Sequence, residues 1–249
     1  LPDLAAHPPI ESYDELESTN AEARRRAEAG EAGPVWITAR TQTAGRGRRG
    51  RSWSTEAGNL AATLLMTTEA PAAEAAQVSF LAALAAADLA DTCLGAGVAR
   101  LKWPNDVLIH GRKAAGVLVE SGLRPDRRLW LAVGVGVNLA RHPTEVERPA
   151  TSFAEHMSAR PPEPYEALEI LAARFETWRA MWVAQGFPAI AQAWTARAHG
   201  LGQPCEARLP DRTIAGLAEG LDVDGALRLR RDDGTVERIT AGDVFFGVG

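Results

Sequence analysis

Apolar residues recur along this chain with two different spacings, and the switches between them mark out its elements. The segment Ser18-Thr19-Asn20-Ala21-Glu22 opens a helix: Thr19 and Glu22 stand at capping-box spacing and Gly30 suits the position past the end, which predicts a helix over Asn20–Ala29. Val35–Arg40 then alternates like a strand, and a second strand is predicted over Asn59–Met66. The segment between them is long and rich in glycine and arginine, the composition of a functional or mobile loop. From Pro71 to about Gly95 the residues Val78, Leu81, Ala85 and Leu89 fall at helical spacing, as in a core helix. Three extended runs follow, at Lys102–Ile109, Lys113–Glu120 and Leu129–Val137. Their links, His110-Gly111-Arg112 and Arg124-Pro125-Asp126, read as hairpin turns, so the central sheet is expected to be mostly antiparallel.

Pro161, Pro162 and Pro164 break the pattern before a long helix, Tyr165–Gln185. Its stripe of Leu168, Leu171, Phe175, Trp178 and Trp182 fits a core better than a cofactor site. A shorter helix, Ile190–Ala198, stops at Gly200. From Gly202 onward short alternating runs are punctuated by Asp224-Gly225 and Asp233-Gly234, as in a small all-β module. The expected fold is therefore α+β: a mixed, mainly antiparallel central sheet flanked by helices over residues 1–199, and a small β domain over residues 200–249.

With 27 basic and 32 acidic residues in 249, the chain carries a formal charge of −5, and 46% of it is hydrophobic. That balance suits a soluble globular protein and argues against disorder. The longest apolar stretch, Phe80–Leu94, contains Asp88 and Asp91 and reads as too polar for a membrane span, and Leu1–Ile10 does not read as a signal peptide. Two distant cysteines, Cys93 and Cys205, with no C-x-x-C or histidine partner, argue against a metal site and suit a reducing cytoplasm. Only Lys102 and Lys113 are lysines in a chain that otherwise uses arginine as its cation. Both are candidates for chemistry that needs a compact ammonium.

Gly45, Gly47 and Gly50 spell G-x-G-x-x-G, but Arg51–Asn59 is a poor helix, and a dinucleotide fingerprint requires one there. Arg46, Arg48, Arg49 and Arg51 crowd into six positions. Each close pair repels by about 1 kcal/mol even in water, a cost that an anionic ligand turns into a gain. The loop is therefore expected to be ordered by phosphates, with a solvated basic loop or a nonspecific nucleic-acid contact as the plain alternatives. In Lys102-Trp103-Pro104-Asn105-Asp106 the proline forces Trp103 into an extended conformation. Lys102 is then expected at a stiff strand end beside a large apolar ring, with Lys113 one hairpin away. In Val133–Asn138 glycines alternate with valines, which lets a ligand lie against bare backbone or marks a bulged core strand, and Asn138 is a candidate contact to a base. No Walker A is present and none of the five histidines has a nucleophile-like context, which disfavours P-loop and histidine-based catalysis.

Five strings, Ser18-Thr19-Asn20, Gln42–Trp53, Lys102–Asp106, Arg112-Lys113-Ala114-Ala115-Gly116 and Gly134–Asn138, resemble in order and spacing those of the biotin protein ligases. The Ile239–Val244 end is similar to that family's small SH3-like C-terminal β-barrel. The resemblance implies ATP-dependent activation of biotin to biotinyl-5′-AMP, with Mg²⁺ on the triphosphate, and transfer to one lysine of a biotin carboxyl carrier domain. It implies a biotin pocket of Ser18, Thr19, Asn20 and Gln42, extended by Gly45, Arg46, Gly47, Arg48, Lys102 and Gly116. The nucleotide would fall to Arg46, Arg48, Arg51, Trp53, Lys102 and Asn138, with Lys102 and Arg48 as the catalytic cations and no protein-held metal. Some family members carry an N-terminal winged helix; with 17 residues before Ser18, none is expected here. A homodimer is a possible state. The rivals are a lipoate ligase of the same fold, which would carry a different glycine-rich motif, and a nucleic-acid-binding protein using the arginine loop. The net charge opposes the latter.

Overall fold

The computed structural model describes residues 6–144 and 148–247. Residues 1–5, part of the stretch read for a signal peptide, and 248–249, the end of the β-rich tail, lie outside the described residues, as do 145–147. The centre is a seven-stranded sheet in the order β1-β2-β3-β7-β6-β5-β4. Its strands are β1 (Ile10–Leu16), β2 (Val35–Gln42), β3 (Leu60–Thr68), β4 (Ala99–Lys102), β5 (Asp106–Ile109), β6 (Arg112–Leu123) and β7 (Leu129–Val137). Every pairing is antiparallel except β1 with β2. A parallel pair needs a crossover, and α1 (Thr19–Glu28) supplies it.

Four details depart from the expectations above. Strand β1 was not foreseen, because Ile-Glu-Ser-Tyr-Asp-Glu-Leu on a half-exposed edge lacks a strict two-residue alternation. The cap of α1 is Ser18 rather than Thr19: its hydroxyl accepts from the Ala21 amide at 3.5 Å. The Lys102–Ile109 run is two strands, since Trp103-Pro104-Asn105 forms the turn that pairs Lys102 with Asp106. Helix α5 (Phe187–Ala196) begins three residues early, with Pro188 in its first turn, where no amide donor is needed.

Strand alternation divides the sheet into two faces. Val133, Val135 and Val137 of β7 turn toward α3 (Val78–Leu94) and α4 (Pro164–Gln185), joining Trp36, Leu64, Leu81, Leu168 and Phe175 in the main core. A short helix, α2 (Ala72–Ala75), leads into α3. Residues 72–94 are long and apolar enough to cross a membrane, and 67% of the most apolar window is buried in the protein. On the opposite face Ala23 and Ala27 of α1 pack on Val35, Ile37, Leu65, Trp130 and Ala132. That helix covers only part of its face, and the uncovered part, over Gly116, Gly134 and Gly136, is the floor of a cleft.

The C-terminal strands β8 (Pro204–Arg208), β9 (Thr213–Leu221), β10 (Leu227–Arg230), β11 (Val236–Ile239) and β12 (Asp243–Phe246) form a five-stranded antiparallel sheet ordered β11-β10-β9-β8-β12. Its Cys205, Ala207, Leu227, Leu229 and Val244 belong to the same apolar cluster as α3–α5. Trp103 reaches across from the β4–β5 turn, and its Nε1–H donates to Gly225 O at 3.0 Å.

Candidate active site

The cleft has a neutral end and a charged end. At the neutral end Ser18, Thr19 and Asn20 lie at the start of α1, each buried, against Thr63 on β3 and Gln42 at the end of β2. The Thr19 amide donates to Gln42 Oε1 at 2.8 Å, and Gln42 Nε2 donates to Thr55 Oγ1 at 2.8 Å, which fixes the amide orientation of Gln42. Thr63 Oγ1 lies 2.7 Å from Asn20 Oδ1 and 2.8 Å from Thr19 Oγ1, while Thr19 Oγ1 is 3.2 Å from Gln42 Oε1. Two hydroxyl protons cannot serve all three contacts. The shortest set is Thr19 donating to Thr63 and Thr63 to Asn20 Oδ1. Asn20 Nδ2 in turn donates to Glu120 Oε2 at 2.7 Å. The result is a buried polar network of hydroxyls and amides, tied at its outer end to the Glu120 carboxylate through Asn20 and suited to a neutral ligand head with both donors and acceptors.

The middle of the cleft is an aromatic plate on bare backbone. Gly116 of β6 pairs directly with Gly136 of β7. A Cβ on Gly136 would approach the Trp53 ring to 2.3 Å, and one on Gly134 would approach Asn20 Oδ1 to 2.1 Å. The β7 glycines therefore make room for the protein's own side chains, Trp53 and Asn20, where the sequence suggested room for a ligand. Asn138 is buried at the end of β7, and its Nδ2 donates to Thr151 O at 3.0 Å.

The arginine loop is an ordered excursion rather than a free strand of charge. Gln42 bridges Thr55 and Arg46 bridges Ser52, and the Gly47 amide donates to Arg51 O at 2.7 Å. Gly45 does not line the cleft; a Cβ there would strike Trp53 O at 2.3 Å, so it is needed for the two arms to close. Arg46 pairs with Glu17 at 3.0 Å, and Arg48 donates to Asn105 Oδ1 at 3.2 Å. Arg49 and Arg51 reach Asp243 of the C-terminal sheet at 3.2 and 3.0 Å. The loop was expected to be ordered by phosphates; here a carboxylate from another sheet already holds its tip. Burial works to raise the Asp243 carboxyl, but Arg51, Arg148 and Arg49 outweigh it and hold it below its usual value.

Of the two lysines, Lys113 lines the cleft, while Lys102 is buried on the neighbouring strand, in register with Asp106, which also lines it. Lys113 Nζ contacts Asp106 Oδ1 at 2.5 Å and lies 5.4 Å from the centre of the Trp53 ring. Lys102 Nζ lies 5.7 Å from the centre of the Phe245 ring of the C-terminal sheet. No ion pair forms at Lys102 among the described residues. Burial, reinforced by Arg148, pushes its ammonium down to about 8. The placement of Lys113 depends on an irregularity: Val107 pairs with Ala115 and Leu108 with Lys113, so one extra residue sits on β6. That bulge puts Lys113 on the same side as Gly116, three residues on, which a regular strand would turn to opposite faces. Arg148 and Asp106 also line the cleft and were not singled out from the sequence, since neither stands beside a partner in the chain. Among the described residues no group of three His, Cys, Asp or Glu side chains is placed to hold a metal ion.

Residues 14–138 match the Biotin/lipoate A/B protein ligase family, and residues 200–247 match the Biotin protein ligase C terminal domain. The biotin–[acetyl-CoA-carboxylase] ligase of Paracoccus denitrificans is 45% identical over 93% of this chain and 98% of its own length. The bifunctional ligase/repressor BirA of Bacillus subtilis is 29% identical over 94% of this chain and 73% of its own. The structure of the Aquifex aeolicus biotin protein ligase in complex with biotin and ATP superposes with a TM-score of 0.80 at 25% identity, covering 96% of this chain and 98% of that one. With the N-terminal half and the C-terminal segment of the chain both matched and the cleft built from the strings that carried the resemblance, the chain belongs to the biotin protein ligase family.

Proposed function

We infer that this chain is an ATP-dependent ligase that activates biotin to biotinyl-5′-AMP and transfers the biotinyl group to a lysine of a biotin carboxyl carrier domain. The observation that carries the reading is one cleft with a neutral hydrogen-bonding end at Ser18–Gln42 and a cationic end at Arg48 and Lys113, with Trp53 between. A ureido group has the donors and acceptors the neutral end asks for; the dithiolane of lipoate has no donor and only weakly accepting sulfurs. The arginines that suggested nucleic acid are turned into the cleft or tied to Glu17 and Asp243.

The chemistry then assigns roles. A biotin carboxylate attacking the α-phosphate brings two anions together, a repulsion of about 4 kcal/mol at 4 Å for an effective dielectric near 20. Lys113 and Arg48 stand where that charge develops, with Arg46 and Arg51 beside them, and Lys102 acts from the neighbouring strand, in register with Asp106. Trp53 and Asn138 take the adenine, Ser18, Thr19, Asn20 and Gln42 the ureido ring, and Gly47 and Gly116 let the chain of biotin pass close to backbone. Mg²⁺ arrives on the triphosphate as part of the substrate. The mixed anhydride is water-labile, and the loop from Gly45 to Arg51 shields it.

We assign residues 1–199 to catalysis and 200–249 to an SH3-like C-terminal domain, and place the protein in the cytoplasm, which its two free cysteines suit. The edge strand β1 has no partner on its outer side among the described residues, whereas β4 is covered by Arg197–His199. Strand addition at β1 is therefore the proposed mode for carrier docking, and for a homodimer that would exclude the carrier. Calorimetry with biotin, lipoate and single-stranded DNA in parallel, followed by biotin-dependent ATP–pyrophosphate exchange, tests the reading. Binding of biotin alone with exchange is expected; heat from lipoate or DNA in its place would refute it.

A further inference from the structure

Arg148 belongs to none of the strings that identify the family, yet its side chain is the least satisfied cation in the cleft. Nη1 lies 3.6 Å from Asp106 Oδ2 and Nη2 lies 3.7 Å from Asp243 Oδ1. Both separations are too long for hydrogen bonds. Nε and Nη2 are buried and have no hydrogen-bond partner among the described residues. The two carboxylates already have closer cations: Asp106 takes Lys113 at 2.5 Å, and Asp243 takes Arg51 at 3.0 Å and Arg49 at 3.2 Å. The guanidinium is also fixed from one side by the Phe245 ring, 4.2 Å from its centroid. A positioned guanidinium with buried, unused N–H groups lining a ligand cleft is prepared for an anion that the protein itself does not supply.

We propose that Arg148 binds the β,γ-diphosphate of ATP and the pyrophosphate as it leaves, while Lys113 and Arg48 serve the α-phosphate and the biotin carboxylate. The proposal rests on the biotin ligase reading of this cleft. Lys113 and Arg148 approach opposite oxygens of one carboxylate, Asp106, so they stand side by side facing a common space. Lys113 is on the Trp53 side and Arg148 on the side of the C-terminal sheet. Linked phosphates running away from a purine at Trp53 meet them in that order. In the reaction a carboxylate oxygen forms a bond to the α-phosphorus, the bond to the bridging oxygen breaks, and its electron pair leaves on pyrophosphate. The charge gained by the leaving group falls on the Arg148 side, where a planar fork can bind two oxygens at once. An anion there would also relieve the repulsion between Arg148 and the buried Lys102.

The full-length Arg148→Ala variant tests this in two half-reactions. Biotin-dependent ATP–pyrophosphate exchange reports the first, and transfer to a carrier domain from supplied biotinyl-5′-AMP reports the second. Loss of a charge-assisted, two-point contact is expected to raise KM for ATP and for pyrophosphate by roughly tenfold or more. KM for biotin and transfer from supplied adenylate should be spared. Arg148→Lys, which keeps the charge and loses the fork, should fall between the two, and it carries the same test if the alanine variant does not fold. Unchanged KM for ATP and pyrophosphate, or equal losses in both half-reactions, would overturn the assignment. Absence of biotin-dependent exchange in the unmodified protein would instead strike the biotin ligase reading itself.

Discussion

The indole of Trp53 rests on the bare α-carbon of Gly136, where an added Cβ would come within 2.3 Å of the ring. Gly136 is not among the positive-φ glycines, so alanine is compatible with its backbone and the nearest conflict is with Trp53. Gly136→Ala should therefore fold and displace the plate on which adenine is proposed to stack. A misplacement of about 1 Å can cost on the order of 100-fold in rate, and adenylation should fall on that scale. Pyrophosphate exchange beside a melting curve checks it. Full exchange activity would remove Trp53 from the nucleotide site.

Among the described residues Arg48 has one side-chain hydrogen-bond partner outside its own loop, Asn105 Oδ1 at 3.2 Å. Arg48→Gly deletes that tie and a cation worth about 1.5–3 kcal/mol to a bound phosphate. Retention of the adenylate should suffer more than its formation, and released adenylate should label lysines indiscriminately. Mass spectrometry of a bystander protein incubated with the variant, ATP and biotin measures this. Labelling confined to the carrier lysine would show that the loop is not the gate.

Lys102 makes the protein's stability depend on pH in a definite direction. Its ammonium titrates near 8 in the folded protein because burial and Arg148 disfavour the charge, while Asp106 and Asp243 partly offset Lys113 and Arg148 around it. Below pH 8 the lysine is charged in both states and the penalty is fully present. Between about 8 and 10.5 the folded protein has released a proton that the unfolded chain still holds, so stability rises with pH. Lys102→Met should abolish that rise and add up to about 3 kcal/mol at pH 7, at roughly 1.4 kcal/mol per pH unit. The adjacent His199, held down by burial and by Lys102, should titrate higher in the variant. Urea melts from pH 7 to 10 and the His199 ring resonances report both effects.

Asp243 gathers Arg49, Arg51 and Arg148 onto one carboxylate. Asp243→Asn removes the anion that Arg49 and Arg51 share and one of the two that Arg148 approaches, and the cost should be about 1–3 kcal/mol because the arginines keep some solvent. The folded carboxyl titrates below its ordinary value, so its contribution is complete above about pH 4 and disappears as pH falls through the folded value. Acid unfolding should therefore steepen less in the variant. Proteolysis within 46–51 should accelerate if Asp243 pins the loop; an unchanged cleavage rate would show that the loop holds itself.

Local sequence carried much of this molecule. The period of 3.6 in α3 and α4 and the period of 2 in β2, β3 and β7 follow from steric rules that act over a few residues, and those elements appear within a few positions of expectation. The alternation in Val-Gly-Val-Gly-Val already separated a core face from a bare face, although what lies on the bare face, Trp53 and Asn20, comes from distant segments. Three matters belonged to tertiary structure alone. Strand β1 exists because β2 offers it hydrogen bonds from distant sequence, Ile10 pairing with Trp36 and Leu16 with Gln42, not because its own residues demand extension. Lys113 lines the cleft beside Gly116 because a single extra residue on β6 changes which face its side chain takes, and pairing register is a property of two strands. Arg148 and Asp243 acquire meaning only where the two sheets meet, since electrostatic partners are chosen by distance in space, and nothing in either one's neighbouring sequence reports that distance.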